Sequence, residues 1–159
     1  MSFQDKIIIL DNVLTTTECR QLTQFYWLTN QAFEWKGSYP LNITEDMQSV
    51  FTKVVKIQNA IMPYLDQKIL IDWCQIVDWP PTSFKSLHTD FKEEKTIFTS
   101  VTYLNDDYLG GHTFFYDGTI VAPKIGRTIC FDGQYYIHGV NEVQKKDRFT
   151  LPIWYKNPE

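Results

Sequence analysis

A mainly β domain with N-terminal helices, an α+β sandwich or barrel with two helices covering one sheet from outside, is the fold class this sequence predicts. Three observations carry it. Two stretches before Leu65 repeat apolar residues at helical spacing. After Leu65, seven short β-type runs follow at roughly 10-residue spacing, separated by turn residues. Aromatic residues reach 16% of the chain, which suits bulky packing between sheets.

In order, "KIIILDNVL" reads as an opening strand broken at Asp11-Asn12. Thr15 followed by Glu18 fits a capping box, and Cys19, Leu22, Phe25 and Tyr26 keep helical spacing, so a first helix is expected over Thr16 to Thr29. "QAFEWKGSYPLN" reads as a loop punctuated by Gly37 and Pro40. A second helix is expected from Thr44, with Glu45 and Asp46 in its positively polarised first turn. Met47, Val50, Val54, Ile57 and Ile61 form its apolar stripe, fit for packing on a sheet, and Pro63 stops it near Met62. The β-type runs come next, with Asn105-Asp106-Asp107, Gly110-Gly111, Asp117-Gly118 and Asp132-Gly133 between them. "FKEEKT", Phe91 to Thr96, reads as a solvated turn. The organisation is a single domain over 1–159, a helical support region over 1–65 and a β core over 66–159.

Composition narrows the function. Hydrophobic residues at 43% and charged residues at 21% belong to a globular chain. The net charge of −4 and the lack of a basic stripe argue against a nucleic-acid partner. Cys19, Cys74 and Cys130 are odd in number and widely spaced, which argues against a disulfide framework or thiolate zinc site and for buried thiols in a reducing compartment. The four-residue apolar run Ile7 to Leu10 is too short for a signal peptide or a membrane span, so a cytoplasmic location with no membrane partner is expected.

The chemistry concentrates in "SLHTDF". His88 and Asp90 are separated by one residue, and in an extended segment such positions point to the same side. Two imidazoles and one carboxylate make the facial triad that leaves positions open on Fe(II), and the second histidine must be His112 or His138. Arg148 follows His138 by ten residues, on the far side of a turn, so the two can face one cavity from neighbouring strands. In "RFTLPIWY", Arg148, Thr150, Pro152 and Trp154 alternate with Phe149, Leu151, Ile153 and Tyr155. A guanidinium in such a lining demands an anion, and a dicarboxylate would supply it.

His88-x-Asp90, His138 and then Arg148 resemble the motif set of the Fe(II)/2-oxoglutarate-dependent oxygenases, with the closer similarity to the prolyl 4-hydroxylase-like branch. "VTYLND", "LGGHTFFY", "VAPKIGRTICFDG" and "DRFTLPIWY" resemble that branch's segments in the same order, over about Asp72 to Tyr155. The resemblance implies a double-stranded β-helix (jelly-roll) barrel with the helices outside one sheet. It implies Fe(II) on His88, Asp90 and His138. It implies 2-oxoglutarate chelating the iron, with its 5-carboxylate on Arg148, a hydrogen bond from Tyr103, and Thr150 and Trp154 lining the same pocket. O₂ completes the set, with ascorbate as an accessory reductant. The implied reaction hydroxylates an unactivated C–H as 2-oxoglutarate is decarboxylated to succinate, the substrate being a prolyl residue of a peptide or protein, or a small molecule such as a free amino acid. A non-catalytic jelly-roll binding module is the rival reading. His112 stands where relatives often carry an acidic residue, and Arg127 reads as a surface charge. Trp79, Trp35, Tyr39 and Tyr136 are candidates for stacking on a proline. The stretches Gln31 to Ile43 and Trp79 to Ser86 are the expected lids.

Overall fold

The structure, a computed structural model, describes residues 6–90 and 96–158. Residues 91–95 of the expected solvated turn lie outside the described residues. In chain order the elements are β1 (Ile8–Leu10), α1 (Thr16–Thr29), β2 (Tyr39–Ile43), α2 (Gln48–Ile61), β3 (Leu70–Trp79), β4 (Lys85–His88), β5 (Thr96–Tyr103), β6 (Leu109–Gly110), β7 (Thr113–Phe115), β8 (Ile120–Val121), β9 (Thr128–Phe131), β10 (His138–Val140), β11 (Val143–Gln144) and β12 (Arg148–Lys156).

The strands form a six-stranded sheet in the order β1-β9-β5-β12-β3-β2, a four-stranded sheet in the order β4-β10-β7-β8, and the short pair β6-β11. Their pairings are antiparallel. This is the expected β architecture with two helices, and both edges of the six-stranded sheet come from the N-terminal region.

α1 begins where the sequence places it. Thr15 Oγ1 accepts from the Glu18 N–H at 3.1 Å, and the Glu18 carboxylate accepts from the Thr15 N–H at 2.9 Å. Asn30 ends it in the left-handed region. The second helix starts later than expected, at Gln48 rather than Thr44. Thr44 instead hydrogen-bonds the Asp46 carboxylate through its hydroxyl, and its carbonyl accepts from the Met47 N–H at 3.0 Å, forming a turn. The expected loop also contains β2, which pairs with β3 from Tyr39↔Asp78 to Ile43↔Cys74. Pro40 is tolerated because β2 is an edge strand.

The alternation along β12 sorts two cores. Phe149, Leu151, Ile153 and Tyr155 pack with Cys74, Ile76, Phe98 and Cys130 against Cys19, Leu22 and Tyr26 of α1 and Val50, Val54, Ile57 and Ile61 of α2. The opposite face of the sheet closes the barrel interior, where Tyr103, Ile129 and Phe131 meet Phe115 and Val121 of the four-stranded sheet. The three cysteines are buried free thiols. Arg127, the presumed surface charge, ties β9 to the end of β1 by donating to both oxygens of Asp11, at 2.7 and 3.3 Å. No helix among the described residues is long and apolar enough to cross a membrane.

Candidate metal centre and anion pocket

His88 closes β4 and His138 opens β10. The antiparallel register sets the two residues directly opposite each other, with ring centroids 4.5 Å apart. Asp90 follows two residues after His88, and its N–H donates to the Gly133 carbonyl at 2.9 Å, which anchors the carboxylate beneath both imidazoles. Asp90 Oδ1 lies 3.1 Å from His138 Nε2 and 3.4 Å from His88 Nε2. One donor atom from each of His88, Asp90 and His138 lies within 4.8 Å of the others, close to the span that the ligands of one divalent ion occupy.

The orientation of the rings is set from behind. His88 Nδ1 is 2.8 Å from the Ser86 carbonyl, and His138 Nδ1 is 2.8 Å from the Tyr136 carbonyl. A carbonyl can only accept, so each Nδ1 carries a proton and each Nε2 is the nitrogen turned toward Asp90 and available to a metal. Burial works against the charge on Asp90, but the bonds from His138 and His88 outweigh it and hold the carboxyl far below its usual range. Burial likewise opposes the cation on His138, and the Asp90 carboxylate overcomes it to raise that pKa. A metal ion that displaces the Nε2 proton would meet two imidazole nitrogens and one ionised carboxylate, a donor set that fits Fe(II). His112, the other histidine the sequence left open, is not in this group: its N–H donates to Asn141 Oδ1 at 2.7 Å.

Two further residues shape the carboxylate's position, and sequence reasoning missed both. Thr99, on the inward face of β5, sits beside Asp90 and favours its ionised form. A Cβ added at Gly133 would lie 2.7 Å from Thr99 Oγ1 and 2.8 Å from Asp90 Cβ, so only glycine allows this approach. The Asp132-Gly133 dipeptide is legible as a turn, but nothing local says that a distant carboxylate packs upon it.

Arg148 begins β12 and points into the barrel from the facing sheet. It is 2% exposed. Its Nε donates to the Gly111 carbonyl at 2.9 Å, and Nη2 makes a long contact of 3.5 Å to Thr113 Oγ1. The rings of Trp79 and Tyr103 each lie 5.3 Å from its Cζ. Among the described residues no carboxylate pairs with it. Tyr103 is fully buried and its hydroxyl bonds Thr113 Oγ1. Thr150 is buried in the same file, opposite Tyr103. The structure does not bring Trp154 to this group. Six residues along an extended strand carry it about 20 Å from Arg148, and it stacks on Trp73 with centroids 3.7 Å apart.

The expected lid Trp79 to Ser86 is tied down, with the Thr82 N–H donating to the Val143 carbonyl at 2.7 Å and the Val143 N–H to the Ser83 carbonyl at 2.9 Å. Of the candidate stacking rings, Trp79 faces the guanidinium and Tyr136 packs on Phe115, whereas Trp35 and Tyr39 stay exposed.

Residues 74–156 match the family model described as the 2OG-Fe(II) oxygenase superfamily. No curated protein sequence matches the chain. Three solved structures are similar in fold. The viral collagen prolyl hydroxylase of Paramecium bursaria Chlorella virus-1, solved as its 2OG complex, is 18% identical with a TM-score of 0.84, over 98% of this chain and 99% of that one. A prolyl hydroxylase from Trichoplax adhaerens, in complex with a hypoxia-inducible-factor peptide fragment, is 16% identical with a TM-score of 0.81, over 95% and 83%. A Pseudomonas putida prolyl-4-hydroxylase is 17% identical with a TM-score of 0.70, over 96% and 93%.

Proposed function

Because this chain belongs to the 2OG-Fe(II) oxygenase superfamily and is a 2-oxoglutarate-dependent dioxygenase, we propose that it hydroxylates an unactivated C–H bond of a prolyl residue in a peptide or protein. The observation that carries the reading is a pairing within one barrel. The ligand atoms of His88, Asp90 and His138 converge, and Arg148 stands buried in the same interior with no carboxylate paired to it among the described residues.

In this reading His88 Nε2, His138 Nε2 and the Asp90 carboxylate hold Fe(II). The Ser86 and Tyr136 carbonyls keep both imidazoles in the ligating tautomer. Bound Fe(II) supplies redox chemistry with O₂, so that C–H, O₂ and 2-oxoglutarate give C–OH, succinate and CO₂. Arg148 binds the distal carboxylate of 2-oxoglutarate, and the dry walls formed by Trp79 and Tyr103 strengthen that pair. Thr113 holds the Tyr103 hydroxyl toward the same place. Thr150 lines the pocket wall. Ascorbate serves as an accessory reductant. The likeness to prolyl hydroxylases, one of them bound to a peptide, supports the choice of substrate class.

An anaerobic titration of the apo-protein with Fe(II) and then 2-oxoglutarate tests the site, followed by an assay of succinate release with proline-rich peptides. A metal-to-ligand charge-transfer band and peptide-dependent succinate are expected. A folded protein that gives no band would make the barrel a binding module. A band with succinate released only on free amino acids would move the substrate to the small-molecule class.

A further inference from the structure

We propose that the Tyr108 hydroxyl is a further donor to the distal carboxylate of 2-oxoglutarate, acting beside Arg148. The inference rests on the reading of Arg148 as the anchor for that carboxylate.

Tyr108 lies between β5 and β6 and is 8% exposed. Its phenolic oxygen is buried and, among the described residues, has no hydrogen-bond partner. A buried donor without an acceptor is costly to desolvate, and each one in a native interior asks for an explanation. Its position supplies one. A Cβ added at Gly111 would lie 2.8 Å from Tyr108 Cε2 and 3.0 Å from Arg148 Cδ, so the phenol ring and the arginine stem converge on the space that a side chain at residue 111 would fill. The guanidinium lies near enough to donate toward the phenolic oxygen and favour its ionised form, while the Tyr103 phenol opposes it, so what the phenol lacks is an acceptor for its own proton. Burial nevertheless pushes the Tyr108 pKa up, so the hydroxyl keeps its proton and can only gain by donating it.

The pocket therefore holds two unmet demands side by side. Among the described residues, Arg148 is a buried cation without an anion, and Tyr108 is a buried donor without an acceptor. One carboxylate satisfies both, since its two oxygens accept from several donors at once. A neutral ligand would leave the cation uncompensated. A second cation would be repelled.

Tyr108→Phe tests this because it removes only the oxygen. Three quantities are measured on wild type and variant: the dissociation constant for 2-oxoglutarate on the Mn(II)-loaded protein without O₂, that for oxalate, which chelates a metal but has no distal carboxylate, and the melting temperature of the ligand-free protein. The expected result is about tenfold weaker 2-oxoglutarate binding. Oxalate binding stays unchanged, and the melting temperature is unchanged or higher because a hydroxyl without an acceptor has been deleted. An unchanged 2-oxoglutarate constant overturns the proposal. So does a fall in melting temperature with 2-oxoglutarate and oxalate weakened alike, which would make the hydroxyl a structural bond. If Arg148→Ala loses 2-oxoglutarate while Tyr108→Phe binds like wild type, only the role of Tyr108 falls. If wild type itself binds oxalate but no 2-oxoglutarate, the anion pocket falls, and this inference with it.

Discussion

β12 has two faces with opposite characters. Toward the helices it presents Phe149, Leu151, Ile153 and Tyr155, packed in a continuous apolar core. Where a polar atom appears there it is answered, as when the Tyr155 hydroxyl meets Ser100 Oγ at 2.9 Å. Toward the barrel interior the same strand presents Arg148 and Thr150, near the Tyr108 hydroxyl, which has no acceptor among the described residues. One face is built to be finished by folding alone. The other is left short of counter-charges and acceptors that a ligand can provide, which is how binding sites hold energy in reserve.

Substitutions on the two faces should therefore separate stability from binding. The largest effect is expected from Leu151→Ala, on the finished face. Leu151 is fully buried, and the variant should lose about 2–5 kcal/mol of unfolding free energy. Chemical denaturation reads this, and the folded fraction should keep wild-type 2-oxoglutarate affinity. Arg148→Met should do the reverse. Its 2-oxoglutarate affinity should fall by about a hundredfold or more, as expected when a buried charge partner is removed. The ligand-free protein should be no less stable, since an apolar side chain replaces an uncompensated cation. A destabilised Arg148→Met that still binds 2-oxoglutarate would erase the contrast between the faces.

A smaller effect is expected at Gly133→Ala. The added methyl meets Thr99 and Asp90 at 2.7–2.8 Å and must displace the carboxylate. Metal affinity should drop roughly tenfold or more, in line with losses seen when a ligand's supporting contacts are disturbed. A metal titration with wild-type affinity would mean that Asp90 tolerates the shift.

Asp78 is the exception on the helix side, and it sharpens the comparison at the low end. It is buried opposite Phe149, with Oδ1 unpartnered. Burial, reinforced by the nearby Asp147 carboxylate, raises its pKa from 3.8 to about 8. The folded state thus holds a proton that the unfolded state releases above about pH 4. Stability from this group falls as pH rises through the interval between the two values, and the full penalty applies above about 8. Asp78→Asn mimics the neutral form. Its melting temperature should match wild type near pH 4 and exceed it increasingly toward pH 8. A difference independent of pH would place the ionisation elsewhere.

Local chemistry was readable in the sequence wherever it stayed local. The bounds of α1 follow from the Thr15–Glu18 box, whose partners are three residues apart. The apolar stripe of α2 and the alternation of β12 are periodic, so their buried faces could be read directly. The start of α2 could not be read that way. Glu45 and Asp46 suit a first helical turn, but the preceding residues are drawn into the sheet by β3, a partner more than thirty positions away in sequence. Gly37 and Pro40 disguised β2 as a loop for the same reason: an edge strand answers to its neighbour's hydrogen bonds more than to its own propensities.

The site divides along the same line. The sequence by itself determined the donor chemistry: His88 and Asp90 on one side of an extended segment, a histidine farther on, and an arginine with the right parity to face inward. Tertiary structure decided the rest. It set His138 opposite His88, and it turned Trp79 and Thr113 toward Arg148. It sent Trp154 away to stack on Trp73, and it left Tyr108 without an acceptor among the described residues. The physical reason is range. Side-chain parity and capping act over a few residues, and the residue types alone reveal them. Which hydroxyl or ring meets a buried charge depends on strand register, and register is settled only when both faces of the sheet have found their cores.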